Sequence, residues 1–467
     1  MTRTRRGPAH RVIGLVAAAI VGAAPLICTG PATAVEPAPG PALTEAPPAA
    51  VLPSTTSPEY FDTPRDITGC PYRTTPPAPV DESEVPLPGQ TSPTPPPVPG
   101  FIAGGEALDS CGLVAPDGFQ MPRDVTASAW IISDLDTGDV VATRDPHGRY
   151  RPASLIKTLL ASVTLDRLEP DRVIEVTDAD LEGAEGSLVG VGAGGAYSVD
   201  ELVRGLLMSS GNDAAVVLAH RMGGLEATVE AMNSHAADIG AVSTHAATVN
   251  GLDGPGMMSS AHDMSLIFRD AMSRPDFARI VGTRLSGFPG YPAGEGAGAP
   301  DPESAPAHTG PTVRPDGTLV NPGFVLSNDN QLLHGYPGAI GGKTGFTDDA
   351  RHTFIGAAER DGRRLAVVLL DGTRVPSPPW QQAGMLLDAG FATDASVGLL
   401  GSGSPTGADE ETEKLASGPL GVVGEVGRRD PVGSGGSVIS RYGPWLAVGA
   451  AGLVVVVGAV LTVRSRR

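Results

Sequence analysis

The distribution of proline constrains most strongly how this chain can fold. Residues 35–122 hold 21 of the 45 prolines, and the run from Pro93 to Pro99 favours stiff, extended chain. Proline lacks a backbone N–H and interrupts helices and sheets, so this stretch is predicted to be a spacer or stalk, partly ordered near its cysteines. With 62 glycines and 45 prolines among 467 residues, the composition indicates one folded domain flanked by stretches that do not fold.

The amino terminus has the three parts of a secretory signal peptide. A basic head is followed by an apolar run from Val12 to Ile27, and Ala32-Thr-Ala34 is a typical cleavage site. We therefore expect export, with cleavage after Ala34. A membrane anchor is the alternative, but the apolar run is short for a span.

The carboxyl terminus carries a second apolar segment. Residues Trp445 to Val463 include no charged side chain, and at about 1.5 Å per residue a helix here would reach about 28 Å. Arg464, Arg466 and Arg467 follow, and positive charge stays on the cytoplasmic side. The sequence predicts a single-pass protein of the cell membrane whose body lies outside, on the cell-wall side; a buried core helix is the alternative.

Cleavage after Ala34 would remove Cys28 and leave two cysteines, Cys70 and Cys111, which export would place in an oxidising compartment. They can pair there in a disulfide or remain two free thiols, and the compartment favours pairing. A disulfide would staple a Pro-rich stretch that has little core of its own.

Charge and metal-ligand spacing exclude several classes of partner. The net charge of −19 argues against a nucleic-acid binder, which would have a basic face. The nine histidines form no His-x-x-His or His-Glu-x-x-His pattern, and two cysteines are too few for a typical metal site. We therefore expect no metal and no other cofactor.

Periodicity places a folded domain between the two low-complexity tracts. Strand-like runs joined by Asp136-Thr-Gly138 and by Asp361-Gly362 predict one hairpin at each end of the domain. Five helices are predicted between the hairpins, at Ser154–Leu165, Val199–Met208, Asn212–Met222, Glu226–Ile239 and Ser260–Met272. This order predicts an α+β domain with one antiparallel sheet, and the Gly/Pro-rich segment Ser286–Asn321 is predicted to be an insertion loop.

The predicted organisation has six parts. They are a signal peptide (1–34), a Pro-rich linker or stalk (35–122), the folded domain (123–395), a Gly/Ser-rich linker (396–443), a transmembrane helix (444–463) and a basic cytoplasmic tail (464–467).

Ser154-Leu-Ile-Lys157 opens the first predicted helix. Side chains three residues apart share a helix face, so the lysine can be the base that a serine nucleophile needs. It serves only if its amine is partly neutral, and burial or a nearby cation, here Lys343, would lower its pKa. The N–H of Ser154 would face a developing oxyanion. Alone, this pattern is more typical of a capping serine and a surface lysine.

Ser210-Gly-Asn212 lies at the junction of two predicted helices. In a turn, the hydroxyl of Ser210 and the carboxamide of Asn212 can point into one cleft, where one relays a proton and the other holds a peptide group. Alone, the motif is more typical of a helix cap.

Lys343-Thr-Gly345 is predicted to lie on an edge strand. The lysine and the hydroxyl of Thr344 can bind a carboxylate, and Gly345 would let a substrate backbone approach closely. The N–H of Phe346 would complete an oxyanion hole. Each motif is weak alone, but the three in this order, in an exported chain, indicate a serine acyl-transfer site.

These motifs resemble those of the low-molecular-mass penicillin-binding proteins, which are serine-type D-alanyl-D-alanine carboxypeptidases (peptidase S11), and the Pro-rich stretch resembles actinobacterial members. The resemblance covers about residues 127–391 and rests on Tyr150-Arg-Pro-Ala-Ser154-Leu-Ile-Lys157, Leu207-Met-Ser-Ser-Gly-Asn-Asp-Ala-Ala215, Asn250-Gly-Leu-Asp-Gly254 with Asp263-Met264, Gly342-Lys-Thr-Gly-Phe-Thr347 and Arg360-Asp-Gly-Arg-Arg-Leu365. It implies a DD-peptidase/β-lactamase-like fold, with an antiparallel sheet and a largely helical subdomain.

The resemblance also implies a role for each motif residue. Ser154 would be the acylated nucleophile, Lys157 its base and Ser210 the proton relay to the leaving D-alanine. The substrate would be bound by Asn212, Lys343, Thr344, Gly345 and Phe346. The implied reaction removes the terminal D-Ala from peptidoglycan stem peptides in cell-wall maturation, and β-lactams would be covalent inhibitors.

Three alternative functions stay open on the sequence alone. A DD-endopeptidase or transpeptidase would use the same scaffold with a different cleft shape. A class A β-lactamase shares the first motif but needs Glu-x-x-x-Asn, and Glu230 is followed by Asn233, one residue short. A non-enzymatic wall-binding module would not need all three motifs intact.

Overall fold

The computed structural model describes residues 64–100, 103–293, 312–313 and 319–401, all within the unit Phe61–Arg467. The predicted signal peptide, the start of the Pro-rich stretch, most of the Gly/Ser-rich linker and the predicted membrane helix lie outside the described residues. Among the described helices, none combines the length and the hydropathy needed to cross a membrane. Export and anchoring therefore stay predictions.

Strands and helices are interspersed along the described chain. The described strands are β1 (Leu113–Val114), β2 (Ala129–Asp134), β3 (Asp139–Arg144), β4 (Val173–Glu175), β5 (Ala196–Ser198), β6 (Leu285–Phe288), β7 (Tyr291–Pro292), β8 (Thr312–Val313), β9 (Leu319–Asn321), β10 (Phe324–Ser327), β11 (Ala339–Thr347), β12 (Arg351–Arg360), β13 (Arg363–Gly372) and β14 (Gly398–Leu399). The described helices are α1 (Lys157–Arg167), α2 (Val199–Met208), α3 (Asn212–Arg221), α4 (Leu225–Asp238), α5 (Ala261–Met272), α6 (Pro275–Val281), α7 (Leu332–Gly335) and α8 (Pro379–Phe391).

The main sheet is antiparallel, with the order β1-β3-β2-β13-β12-β11 and with β14 also paired to β3. Successive residues of a strand face opposite sides of the sheet. On the central strand β13, Val367 and Leu369 therefore pack with α8, whereas Ala366 and Val368 pack in the larger core with α1 and α5. The sheet thus lies between α8 on one face and the helical layer on the other, and β11 forms its edge.

Local sequence signals account for most of these elements. The turn between β12 and β13 places Asp361 and Gly362 at φ 51° and 82°, as a tight hairpin with a right-handed twist requires. Helix α2 begins at a capping box, in which Ser198 and Glu201 each accept a hydrogen bond from the other's backbone N–H. Both predicted hairpins, the five predicted helices and the α+β class are confirmed.

The prediction of an insertion loop at Ser286–Asn321 is wrong for the described residues. There β6 pairs with β10, and β7, β9 and β8 form a three-stranded sheet. Glycine and proline surround these strands and obscure their alternation. Burial orders the described start of this segment, because Phe288 packs into the main core and its ring centroid lies 5.7 Å from that of Tyr197.

Residues 64–100, the described part of the Pro-rich stretch, run along the folded domain; we name them the N-terminal strap. They contain turns and bends but no helix or strand. Buried arginines hold the strap, because its few internal turns leave other carbonyl groups without partners of their own. Arg149 donates from its backbone N–H to the carbonyl of Tyr72 at 2.8 Å and from Nη1 to that of Thr74 at 2.8 Å. Cys70 is bonded to Cys111 in a disulfide. This part of the predicted stalk is packed on the domain.

Candidate active site

Ser154 lies in a 3₁₀ turn, Ala153–Ile156, that leads directly into α1. The preceding residue, Ala153, has a left-handed backbone with φ 48°, a conformation that is uncommon away from glycine and is found often at functional sites. Nζ of Lys157 lies 2.7 Å from Oγ of Ser154. The spacing of three residues therefore brings the two groups into contact, as the sequence predicts.

Lys157 is fully buried, and its surroundings favour the neutral amine. Burial lowers its pKa well below the ordinary value, and the positive charge of Lys343 lowers it further, against an opposing effect of Asp213. Nζ also donates a hydrogen bond to the carbonyl of Asn250. A neutral amine in this position can accept the hydroxyl proton of Ser154.

Ser210 and Asn212 lie at the junction of α2 and α3. Ser210 has a left-handed backbone with φ 60° and Asn212 is the first residue of α3. Nδ2 of Asn212 donates to the carbonyl of Glu185 at 2.5 Å, whereas its Oδ1 is buried with no hydrogen-bond partner among the described residues. A buried acceptor without a partner is costly, so Oδ1 is available to an N–H group of a ligand.

The loop that faces Asn212 is fixed by the neighbouring carboxylate of Asp213. That carboxylate accepts backbone hydrogen bonds from Val189 at 3.0 Å, Gly190 at 2.7 Å and Val191 at 2.8 Å. Sequence reasoning assigned Asp213 no role, although the residue lies within a stretch on which the resemblance rests.

Lys343, Thr344 and Gly345 lie on the edge strand β11, as predicted, and Lys343 pairs with Ile355 of β12. Burial lowers the pKa of Lys343 to about 8, and Asp329 opposes that decrease. A Cβ on Gly345 would lie 2.3 Å from Oγ1 of Thr353 and 3.1 Å from the backbone N of Ser154. Only glycine therefore lets β11 lie this close to the serine turn.

The three motifs converge through a short series of contacts. Lys343 and Asp213 both act on the pKa of Lys157, which places the first helical turn beside the other two motifs. Asp329, which faces Lys343, donates its backbone N–H to Met208 at 2.8 Å, at the end of α2 and two residues before Ser210. The arrangement can carry out acyl transfer: a serine beside a neutral amine, a second lysine, and two backbone N–H groups on adjoining segments.

The loop after the second motif contributes backbone groups that sequence reasoning did not identify. The carbonyl of Asn250 contacts Lys157, and Gly251, at φ 85°, packs against the serine turn. A Cβ on Gly251 would lie 2.2 Å from the carbonyl oxygen of Ala153. The only sequence signal was the resemblance of Asn250-Gly-Leu-Asp-Gly254 to the family, which marks the position without giving the contact.

Comparisons with known proteins agree with this geometry. The sequence model of the peptidase S11 family, D-alanyl-D-alanine carboxypeptidase, matches residues 117–286. The D-alanyl-D-alanine carboxypeptidase DacB2 of Mycobacterium tuberculosis is 43% identical over 293 residues, which are 62% of this chain and 90% of that protein. DacD of Salmonella typhimurium, also a D-alanyl-D-alanine carboxypeptidase, is 30% identical over 314 residues, which are 64% of this chain and 72% of the relative.

A solved structure matches the fold as well. A crystal structure described as a penicillin-binding protein homologue from Mycobacterium tuberculosis superposes with a TM-score of 0.53 at 43% identity. The match covers 61% of this chain and all of that one. The chain therefore belongs to the peptidase S11 family of D-alanyl-D-alanine carboxypeptidases.

Proposed function

We propose that this chain is a serine-type D-alanyl-D-alanine carboxypeptidase. It removes the terminal D-Ala from peptidoglycan stem peptides through an acyl-enzyme on Ser154. The observation that carries the proposal is the 2.7 Å contact between Ser154 Oγ and Nζ of Lys157, a lysine that burial and Lys343 favour in its neutral form. The named activity of the similar proteins supports the same reaction.

Acylation begins when neutral Lys157 takes the hydroxyl proton of Ser154. Oγ then bonds to the carbonyl carbon of the penultimate D-Ala, and negative charge moves to the carbonyl oxygen. The backbone N–H groups of Ser154 and Phe346 stabilise that oxyanion. The substrate backbone pairs with the edge strand at Gly345, where the absence of a side chain permits close approach.

The remaining motif residues bind the substrate and its leaving group. Ser210 relays the proton from Lys157 to the departing amine as the C–N bond breaks. The buried Oδ1 of Asn212 accepts a substrate N–H, and Lys343 with Thr344 binds the terminal carboxylate. Water then attacks the ester and releases the shortened peptide.

β-Lactams react at the same serine in this account. The ring amide presents a carbonyl to Ser154 and a carboxylate to Lys343 and Thr344. Ring opening also gives an ester on Oγ of Ser154, but the leaving nitrogen stays attached to the acyl group and hinders the approach of water. The similarity to a penicillin-binding protein homologue supports this reactivity.

The β-lactamase alternative is not favoured. Asn233, the residue nearest to the required Glu-x-x-x-Asn spacing, is engaged with the backbone of Ala246 through both Nδ2, at 3.0 Å, and Oδ1, at 2.7 Å. Glu230 is exposed on α4. Asn233 therefore holds the backbone of Ala246 and Glu230 faces solvent, and the similar proteins carry the carboxypeptidase name.

The reaction is tested by incubating the purified chain with a stem pentapeptide that ends in D-Ala–D-Ala. We expect one equivalent of D-alanine per peptide and a tetrapeptide product. Labelling by penicillin without release of D-alanine would overturn the carboxypeptidase assignment in favour of an endopeptidase or transpeptidase. Absence of both would overturn acyl transfer itself.

The KM for the pentapeptide is expected to rise as the pH increases through about 8. Burial lowers the pKa of Lys343 to about 8, so at higher pH the amine loses the charge that holds the substrate carboxylate. Lys343→Arg stays protonated, so its KM should change little over the same range. A wild-type KM that is constant from about pH 7 to about pH 9.5 would contradict this role.

Gly251→Ala is expected to slow acylation by penicillin about tenfold to a hundredfold, since small displacements of reacting groups have effects of that order. The new Cβ would meet the backbone of Ala153 and Ser154, so the serine turn must move. Gly254→Ala is the matched control, because its Cβ would meet only side chains, at 3.4 Å. Equal labelling rates for a fluorescent penicillin in the two variants would contradict the expectation.

We also propose, from the sequence alone, that the enzyme acts on the cell-wall side of the membrane. The signal sequence that ends at Ala34 and the uncharged segment Trp445–Val463 support this location. Cell fractionation tests it: the full chain should stay with membranes after an alkaline wash, and a chain that ends before Trp445 should be released into the medium. Full-length chain in the cytoplasmic fraction would contradict it.

A further inference from the structure

We propose that the N-terminal strap sets the geometry of the oxyanion hole and that Glu84 is its main positioning residue. The proposal rests on the proposed function, because it concerns the two N–H groups that receive the oxyanion. These groups belong to Ser154 and Phe346, which lie on separate segments. Three residues of the strap, Val80, Ser83 and Glu84, bind side chains of these two segments.

The first contact is made with the serine turn. Arg151 lies three residues before Ser154 and is only 2% exposed. Its Nε donates to Oε1 of Glu84, and its Nη2 donates to Oε2 of the same carboxylate at 2.7 Å. Its Nη1 donates to the carbonyl of Pro77 at 2.8 Å. A two-point arginine–carboxylate pair is directional as well as strong, so the strap fixes the position of Arg151.

The second contact is made with the end of the edge strand. Asp349 lies three residues after Phe346, in the turn between β11 and β12, and is buried. Its carboxylate accepts hydrogen bonds from the backbone N–H of Val80 and, at 3.2 Å, from Oγ of Ser83. Nε of Arg151 is 4.0 Å from the same carboxylate. Residues 80–84 therefore connect the segment before one oxyanion donor to the segment after the other.

The fold gives a reason for such a connection. Among the described strands β11 pairs with β12 alone and forms the edge of the sheet, whereas the serine turn belongs to the helical layer. On the sheet side they are joined through β12, where Thr353, the partner of Gly345 in the strand pairing, donates from Oγ1 to the carbonyl of Pro152 at 2.9 Å. The strap joins them a second time. An oxyanion hole works only when both donors lie about 2.7–3.1 Å from the oxygen.

The strap itself is held in place independently of Glu84. The disulfide joins Cys70 to Cys111, and the buried guanidinium of Arg149 donates to the carbonyls of Thr74 and Pro97. Loss of the Glu84 carboxylate would therefore leave the strap attached, while Arg151 loses its two-point pair and keeps only the hydrogen bond from Nη1 to Pro77. A substitution at Glu84 therefore tests the positioning of Arg151 without detaching the strap.

The test compares Glu84→Ala with Glu82→Ala in the full chain. Glu82 is exposed on the same strap and is the matched control. For Glu84→Ala we expect the rate of acylation by penicillin and the kcat for the pentapeptide each to fall about tenfold to a hundredfold, because both reactions pass through an oxyanion. The KM should stay within about twofold of the wild-type value. Glu82→Ala should match the wild type.

Two further variants keep the proposal falsifiable if Glu84→Ala folds poorly. Glu84→Gln keeps the shape of the pair without its charge, and Ser83→Ala removes one hydrogen bond to Asp349; both should lower kcat by smaller factors with KM unchanged. A normal kcat in folded Glu84→Ala would overturn the proposal. So would a normal kcat in Glu84→Gln and Ser83→Ala when their melting temperatures are lowered. A wild-type chain that neither binds penicillin nor releases D-alanine would instead overturn the proposed function.

Discussion

Replacing Ser154 with alanine is expected to abolish both acylation by penicillin and release of D-alanine. The substitution removes the oxygen that forms the ester while Lys157 and the binding residues remain. Loss of a serine nucleophile lowers turnover by about 10⁴- to 10⁶-fold in serine hydrolases, and a loss of that size is expected here. The measurement is fluorescent penicillin labelling on a gel, with released D-alanine assayed in parallel.

Ser162→Ala is the matched control for that substitution. Ser162 is buried on α1, the helix that follows the serine turn, and its Oγ donates to the carbonyl of Thr158 at 3.2 Å. The control should label at the wild-type rate. Equal labelling of Ser154→Ala and the wild type would mean that another residue carries the acyl group.

Replacing Lys157 with arginine is expected to lower the acylation rate by about 10²- to 10⁴-fold, the usual contribution of a general base. Arginine keeps a positive charge and stays protonated, so it cannot take the proton of Ser154. The wild-type rate should also depend on pH. Because burial and Lys343 lower the pKa of Lys157, the base is neutral above that lowered pKa, and the acylation rate should fall as acid protonates it.

The chain contains only three lysines, so a matched control is available at Lys414. Lys414→Arg lies outside the described residues and should leave acylation unchanged. A fast Lys157→Arg variant, or a wild-type acylation rate that increases as the pH falls, would contradict the role of Lys157 as the base.

The helices, the hairpins and the catalytic pair were predictable because their signals are local. A spacing of three residues at the start of a helix brings Ser154 and Lys157 together whatever the rest of the chain does. The turn at Asp361-Gly362 requires positive φ angles that only a few residue types accept readily. Both features depend on a few neighbouring residues, and the structure contains both.

The contacts that the sequence did not reveal are made by backbone groups or over long separations. The carbonyl of Asn250 contacts Lys157 from 93 positions away, and a carbonyl has no side-chain signature. The strap has no periodic pattern, because its own hydrogen bonds form only isolated turns and its contacts with the domain are made by Arg149, Arg151 and the disulfide. A Pro-rich composition excludes helices and sheets, but it does not exclude an extended chain packed against a domain.

The site of the acyl group tests the role of Ser154 most directly. The purified chain is treated with penicillin, digested with protease and analysed by mass spectrometry. We expect one added penicillin per chain, on the peptide that contains Ser154, and none in Ser154→Ala. An adduct on any other residue, or release of D-alanine by the Ser154→Ala variant, would contradict Ser154 as the residue that carries the acyl group.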